Sequence, residues 1–305
     1  MVGIVGKPFT TVEDQVRILE RRGVICDAST PKTLLREGYY AIVNGYKAPF
    51  LDAAASRSAG EDRYLEGTRF DDIYALFRFD RDLRAIMFRF LMVVESTLRS
   101  LISYCFCTAH PGTEDYLKPS CFTRAGRYLR DGRDFERDLA WMIDTLEKHA
   151  HGVVVDTTGS PTPSDVRVQY YRDVHGGVPL WVLFTELTFG NLKYFYALMR
   201  RAEQRAVCER VRETCGHVRS LTPQEMIDDL DILVDARNIC AHEERLWSAH
   251  VGANDEADFP EVVEAVKHYL TADDDLALDE MLARLAEDYG RRGPTLGGAI
   301  SKLGI

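Results

Sequence analysis

Between Asp71 and Phe106 apolar residues recur every three or four positions, from Ile73, Leu76 and Phe77 through Leu83, Ile86, Met87, Phe90, Leu91 and Val94 to Leu98, Leu101 and Ile102. That period belongs to an α-helix with one buried stripe. Phe79, Phe88 and Met92 widen the stripe, so more than one neighbour must cover it. Arg89, Glu95 and Arg99 interrupt the apolar run near Ala85–Cys107 and make it a poor membrane span. A chain built round so long an amphipathic helix is expected to be all-α, with other helices packed on both sides of it.

Helical signals fill much of the remaining sequence. Thr11-Val-Glu-Asp14 reads as a capping box before Val16 and Leu19, with Gly23 as the stop. A second helix is expected over 31–43, a turn at Asn44-Gly45 and a loop over 53–63. Helices follow over 133–150 and 192–201, while 179–189 fits either a strand or a helical face broken at Gly190. Thr222-Pro-Gln-Glu225 is the clearest start signal: a capping hydroxyl, a proline at the first helical position and the reciprocal glutamate. Two final helices lie over 262–270 and 276–289. No repeat is visible. The expected organisation is one helical domain over 1–289, with an insertion or flexible connector near 151–176 and a glycine-rich tail, 290–305, that folds back or frays.

Charge and cysteines narrow the function. The 48 acidic against 38 basic side chains give a net charge of -10, which excludes a uniformly basic nucleic-acid coat. An RNA partner therefore requires a local basic cleft. Seven scattered cysteines suggest cytoplasmic thiols rather than a disulfide framework. Cys105-x-Cys107 lacks zinc-knuckle spacing, and Cys208, Cys215 and His217 lack a fourth ligand, so neither a metal nor another cofactor is expected. The start, MVGIVGKPFTTVEDQV, shows no secretory signal. The expected setting is the cytoplasm, without a membrane partner.

The chemistry-bearing segment is Asp235-Ala-Arg-Asn-Ile-Cys-Ala-His242-Glu-Glu-Arg-Leu-Trp247. Arg237 and His242 are separated by about 500° of helical rotation and roughly 7.5 Å of rise, so they do not stack, although both side chains can border one groove. A guanidinium grips phosphate through paired hydrogen bonds, and an imidazole moves a proton near neutral pH. Asn238 adds an amide beside them. The structural alternative is an arginine paired with Asp235 or a neighbour of Glu225, and a histidine that caps the helix end or hydrogen-bonds in the core. Glu95 and Arg99, an i,i+4 pair, either support helix packing as a buried ion pair or stand behind the cleft and order one of its side chains.

Taken in order, Tyr39-Tyr40-x-x-x-Asn44-Gly45-Tyr46, Phe79-Asp-Arg-Asp-Leu-Arg84, Glu95-x-x-x-Arg99, Pro179-Leu-Trp181, Glu186-Leu-Thr-Phe-Gly190 and the segment ending at Trp247 resemble the abortive-infection family of bacterial phage-defence proteins, of the Abi-D/Abi-F type, within the larger HEPN class. The resemblance runs from Lys7-Pro-Phe9 to about Trp247. It implies a HEPN-like helical bundle with added terminal helices and an Arg-polar-x-x-x-His ribonuclease motif at Arg237, Asn238 and His242. In active relatives two copies face each other and share a composite cleft, so a homodimer is expected. The usual continuation after Arg-Leu-Trp is Asn; here it is Ser248 and Ala249. Some members are restrained by a structured noncoding RNA.

The resemblance thus implies a metal-independent endoribonuclease of abortive infection, restrained by a noncoding RNA or an antitoxin. His242 would be general base or acid, Arg237 would neutralise the phosphorane-like charge, and Asn238 would orient either. Glu95 and Arg99 would support them. Lys7, Arg78, Arg81 and Arg84 are candidates for the local basic face, or simply a solvated one. Tyr39, Tyr40 and Tyr46 read either as core aromatics or as an RNA-stacking surface; Arg245 and Trp247 complete the possible RNA contacts. The alternative function is a non-catalytic module that holds structured RNA or a protein in a defence system.

Overall fold

Thr11 and Thr222 each accept the backbone N–H three residues on, at 3.2 Å, and so open the helices that their sequences announce. In a computed structural model that describes residues 9–130, 132–152 and 163–305, the chain is all-α. In order come α1 (Val12–Arg21), α2 (Thr30–Glu37), α3 (Ala53–Ala59), α4 (Phe70–Ala109), α5 (Phe135–His151), α6 (Pro163–His175), α7 (Leu180–Leu183), α8 (Phe189–Leu198), α9 (Arg201–Cys215), α10 (Pro223–Ala241), α11 (Phe259–Lys267), α12 (Ala272–Gly290) and α13 (Pro294–Ile300). Among the described residues β structure is confined to three isolated bridges: Ile25 with Arg69, Leu51 with Tyr64, and Val251 with Ala257. No helix is long and apolar enough to cross a membrane among the described residues.

Several local expectations are corrected. The helix over 31–43 is two pieces, because Gly38 adopts φ +85° and ψ 135°, which only glycine takes readily. The chain resumes as a π-helix over Tyr40–Asn44, and Asn44-Gly45 is helical rather than a turn. Residues 53–59 form α3 rather than a loop, since Asp52 caps the N–H groups of Ala54 and Ala55 at 2.9 Å. Gly190 lies inside α8; the break falls at Thr188, which shares a capping box with Asn191. The helix expected over 192–201 ends at Leu198, and α9 follows. Part of the 151–176 connector is α6, and residues 153–162 lie outside the described residues. Of the two fates expected for the tail, it folds back rather than frays: α13 buries Leu296, Ala299 and Ile300 and packs on the turn at Ala48–Phe50.

The contacts divide the chain into two compact units, the boundary falling within α4 after Ile86. One unit comprises the residues up to Ile86, Glu243–Trp247 and Leu278–Ile305. Its core includes an aromatic series: Phe70 stacks on Tyr74, Tyr74 on Phe77, and Phe77 meets Tyr46 edge-on at 5.4 Å. The other comprises Met87–His242 and Ser248–Ala277. There α8 packs on α5 and α10, and α10 on α9 and α11. Phe106, Phe184 and Phe195 are each almost wholly buried, with ring centroids 4.9–5.0 Å apart along the series. Each such ring contributes about 1.5–3 kcal/mol of burial free energy.

Candidate active site

The site rests on the register of α10, and its cap sets that register. The Glu225 carboxylate accepts the Thr222 N–H at 2.7 Å, and Arg219 grips it from outside at 3.0 Å. Hydrogen bonding from Arg219, then from the Thr222 backbone, pulls the Glu225 carboxyl down to about 2. From this start the helix runs 19 residues to Ala241, with Met226, Ile227, Leu230 and Leu233 buried. His242 is its C-cap residue and donates its backbone N–H to the Asn238 carbonyl at 2.9 Å. Glu243 then takes φ +57° and ends the helix. Left-handed backbone costs a residue with a Cβ about 1–2 kcal/mol, which the surrounding contacts must offset.

Arg237 leaves α10 toward a buried carboxylate. Glu95 on α4 is 4% exposed. A carboxylate so placed in an apolar helix requires cationic partners. Its Oε1 accepts from Arg99, which also donates to the Phe184 carbonyl. Its Oε2 lies 3.3 Å from Nε of Arg237 as an ion pair, outside hydrogen-bond geometry. Arg237 is thus anchored at Nε, while its side chain keeps 28% exposure and its terminal nitrogens hold no hydrogen bond among the described residues. Asp235 does not pair with it; Asp235 accepts the Gly252 N–H at 3.0 Å. Burial pushes the Asp235 carboxyl up.

Asn238 and His242 are both exposed. Four residues apart, they are neighbours on one face of α10. Neither side chain makes a hydrogen bond to another described residue. The result is a cation fixed from behind by buried charge, and an amide and an imidazole open to solvent at the helix end. Such a set can neutralise developing phosphate charge and move a proton.

The other candidate residues belong to the first unit and have different surroundings. Asp80 on α4 is fully buried and accepts from Tyr46 Oη at 2.7 Å, Arg84 Nη1 at 2.5 Å, and the backbone N–H groups of Leu246 and Trp247 at 3.2 and 2.8 Å. Burial pushes its carboxyl above the ordinary range despite these donors. Tyr46 and Arg84 are therefore spent on holding Asp80, and neither offers a face to RNA. Tyr39 is half-buried, whereas Tyr40 is 80% exposed. Arg78 is exposed. Arg81 pairs with Glu37 at 2.7 Å and lies over Phe77. Arg245 is exposed and donates to the Gly45 carbonyl at 3.2 Å; Trp247 stacks on Tyr46 at 6.5 Å. Lys7 lies outside the described residues.

Asp80 was not singled out as an anchor from the sequence, although a signal exists. It falls four residues after Leu76 and three before Leu83, on the apolar stripe, where a carboxylate must be satisfied internally.

No curated protein and no solved structure matches the chain. A family model does match, described as Abi-like protein, over residues 32–248. That span includes Glu95, Arg99 and the whole Arg237–His242 segment, and it covers well over half of the 305 residues. The chain belongs to the Abi-like protein family.

Proposed function

We propose that this chain is a metal-independent endoribonuclease, acting through Arg237, Asn238 and His242. Its family implies abortive infection, the setting of phage defence. The observation that carries the ribonuclease reading is the asymmetric anchoring of Arg237: Glu95 holds Nε at 3.3 Å, leaving the far side of the guanidinium for a phosphate.

The chemistry follows from the side chains. RNA brings its own nucleophile, the 2'-hydroxyl. His242 takes its proton, the oxygen attacks the adjacent phosphorus, and the bond to the 5'-oxygen breaks. Arg237 stabilises the charge that builds on the phosphate oxygens. Asn238 orients His242 or one of those oxygens. The leaving oxygen takes a proton from an imidazolium, in the proposed homodimer the second copy's His242. The products are a 2',3'-cyclic phosphate and a 5'-hydroxyl. Glu95 and Arg99 act as positioning residues, through Arg237. A structured RNA or a protein antitoxin restrains the enzyme by covering the exposed end of α10.

The test is cleavage of RNA by the purified protein and by its Arg237→Ala and His242→Ala variants. Each variant is expected to lose at least about a hundredfold in rate, the usual scale of one proton-transfer or charge-stabilising group. Unchanged cleavage by either folded variant would reject this site. RNA retained without cleavage by the unaltered protein would instead favour a holding module.

A further inference from the structure

A second cluster of cations lies in the same unit as the motif helix. Arg130 is 9% exposed and donates from Nη2 to Asp231 of α10 at 3.0 Å. Its Nε and Nη1 are buried without a hydrogen-bond partner. Lys193 of α8 meets the same Asp231 oxygen at 2.7 Å. Arg130, Lys193 and Arg133 gather over the ring of Tyr194, at 5.0, 5.7 and 5.8 Å from its centroid. Asp231 thus meets two cations, and Arg133 stands with them over the ring.

Two cavities adjoin this cluster, of about 470 and 550 Å³, and Arg133 lines both. The first is lined by Asp228, Asp231 and Asp235 of α10. The second carries Arg137, Tyr194 and Trp141. Arg133 and Arg137 make no ion pair among the described residues. The acids beside them each hold a hydrogen bond within the fold: Asp134 caps α5, Asp138 accepts from Tyr128 at 2.7 Å, Asp228 accepts from Gln224 at 2.9 Å, and Asp235 takes the Gly252 N–H. Trp141 is 42% exposed and meets Tyr194 edge-on at 5.1 Å. Arginines with no ion pair among the described residues, beside the exposed ring of Trp141, fit a base with its phosphate.

Helical geometry connects this cleft to the candidate active site. Asp231, Asp235, Asn238 and His242 stand at i, i+4, i+7 and i+11 on α10, which places them in one column. His242 lies about 10 Å along the axis from Asp235. We infer that the cleft of Arg130, Arg133, Arg137, Lys193, Trp141 and Tyr194 binds a single-stranded stretch of RNA, base on ring and phosphate on arginine, and leads that strand along α10 to His242. The choice of the strand that is cut rests on the ribonuclease reading; the binding of a base with its phosphate does not.

The experiment uses the full chain with a single-stranded RNA of about a dozen nucleotides, and separately with nucleoside 5'-monophosphates. Binding is read by titration calorimetry, which does not depend on Trp141 and so serves every variant. Arg133→Gln/Arg137→Gln is expected to weaken RNA binding at least tenfold and to flatten the slope of log K against log salt by about 1.4, for two phosphate contacts. Trp141→Ala, at an exposed position, is the second variant and is expected to cost at least about fivefold. Where RNA is cleaved, KM rises with kcat retained in both variants. Monophosphates are expected to bind far more weakly than the strand; equal affinity would make the ligand a free nucleotide and overturn the strand assignment. Unchanged affinity and salt slope in folded variants would overturn the cleft. RNA bound through the cleft but never cut would sink the ribonuclease reading alone. Cleavage with KM untouched by the arginine changes would sink the cleft alone.

Discussion

Glu95 shows how one buried charge organises several side chains. It is nearly sealed on α4 and is shared between Arg99 and Arg237. Removing it leaves two arginines without their counter-charge, both partly exposed, so the cost is set below that of a fully buried pair. Glu95→Gln is expected to lower stability by about 1–3 kcal/mol in urea unfolding and to lower kcat more than it raises KM, as Arg237 loses its orientation. His242→Ala is expected to leave stability within about 0.5 kcal/mol, because the side chain is exposed and makes no contact that the fold needs. The i,i+4 spacing of Glu95 and Arg99, and the spacing of Arg237 from His242, were legible in the sequence. That Glu95 reaches Arg237 was not, since 142 positions separate them and only the packing of α10 near α4 joins them. Asp80 was hidden for a related reason: its donors at Leu246 and Trp247 are backbone groups, which carry no side-chain signature.

At the scale of elements, local chemistry was legible at some helix starts and missed at others. Thr11 and Thr222 both open helices, but only Thr222 forms the full reciprocal box, with Glu225; Thr11 accepts the Asp14 N–H alone. Thr222→Ala is expected to cost about 1 kcal/mol in thermal or urea unfolding, through fraying of the first turn of α10. The Glu225 carboxyl is depressed in the fold, so its stabilising contribution is present above the ordinary glutamate range and is lost as pH falls toward about 2. The opposite sign holds where α10 meets the end of α11. His268 has its imidazole pushed up, first by the hydrogen bond to Asp229 at 2.9 Å. That contribution is complete below the ordinary histidine value and is lost as pH rises through the folded one. Unfolding curves measured from pH 5 to 9 should show this loss, and His268→Asn should flatten it. Helix α9 escaped the sequence reading because Val207, Cys208 and Val211 form a thin stripe among charged residues. Helix α3 escaped because its Ala, Ser and Gly composition reads as loop, although alanine is the best helix former and Asp52 supplies the cap.

For the whole molecule, the all-α class was legible from the period of α4 alone, and family membership from motifs spread along the chain. The cleft around Arg133 and Trp141 was not legible, because its residues come from α5, α8, α10 and the segment before α5. The acidic composition also hid it: at a net charge of -10, a local group of arginines does not show in the total. If two copies complete one cleft, specific activity should fall on dilution through the dimer dissociation range, as followed by cleavage rate and light scattering together. The most direct measurement is RNA cleavage in excess chelator, with the product ends identified. Cleavage that persists, leaves 2',3'-cyclic phosphate and 5'-hydroxyl ends and disappears in Arg237→Ala and His242→Ala is the predicted result. Cleavage abolished by the chelator, or undiminished in those variants, would contradict it.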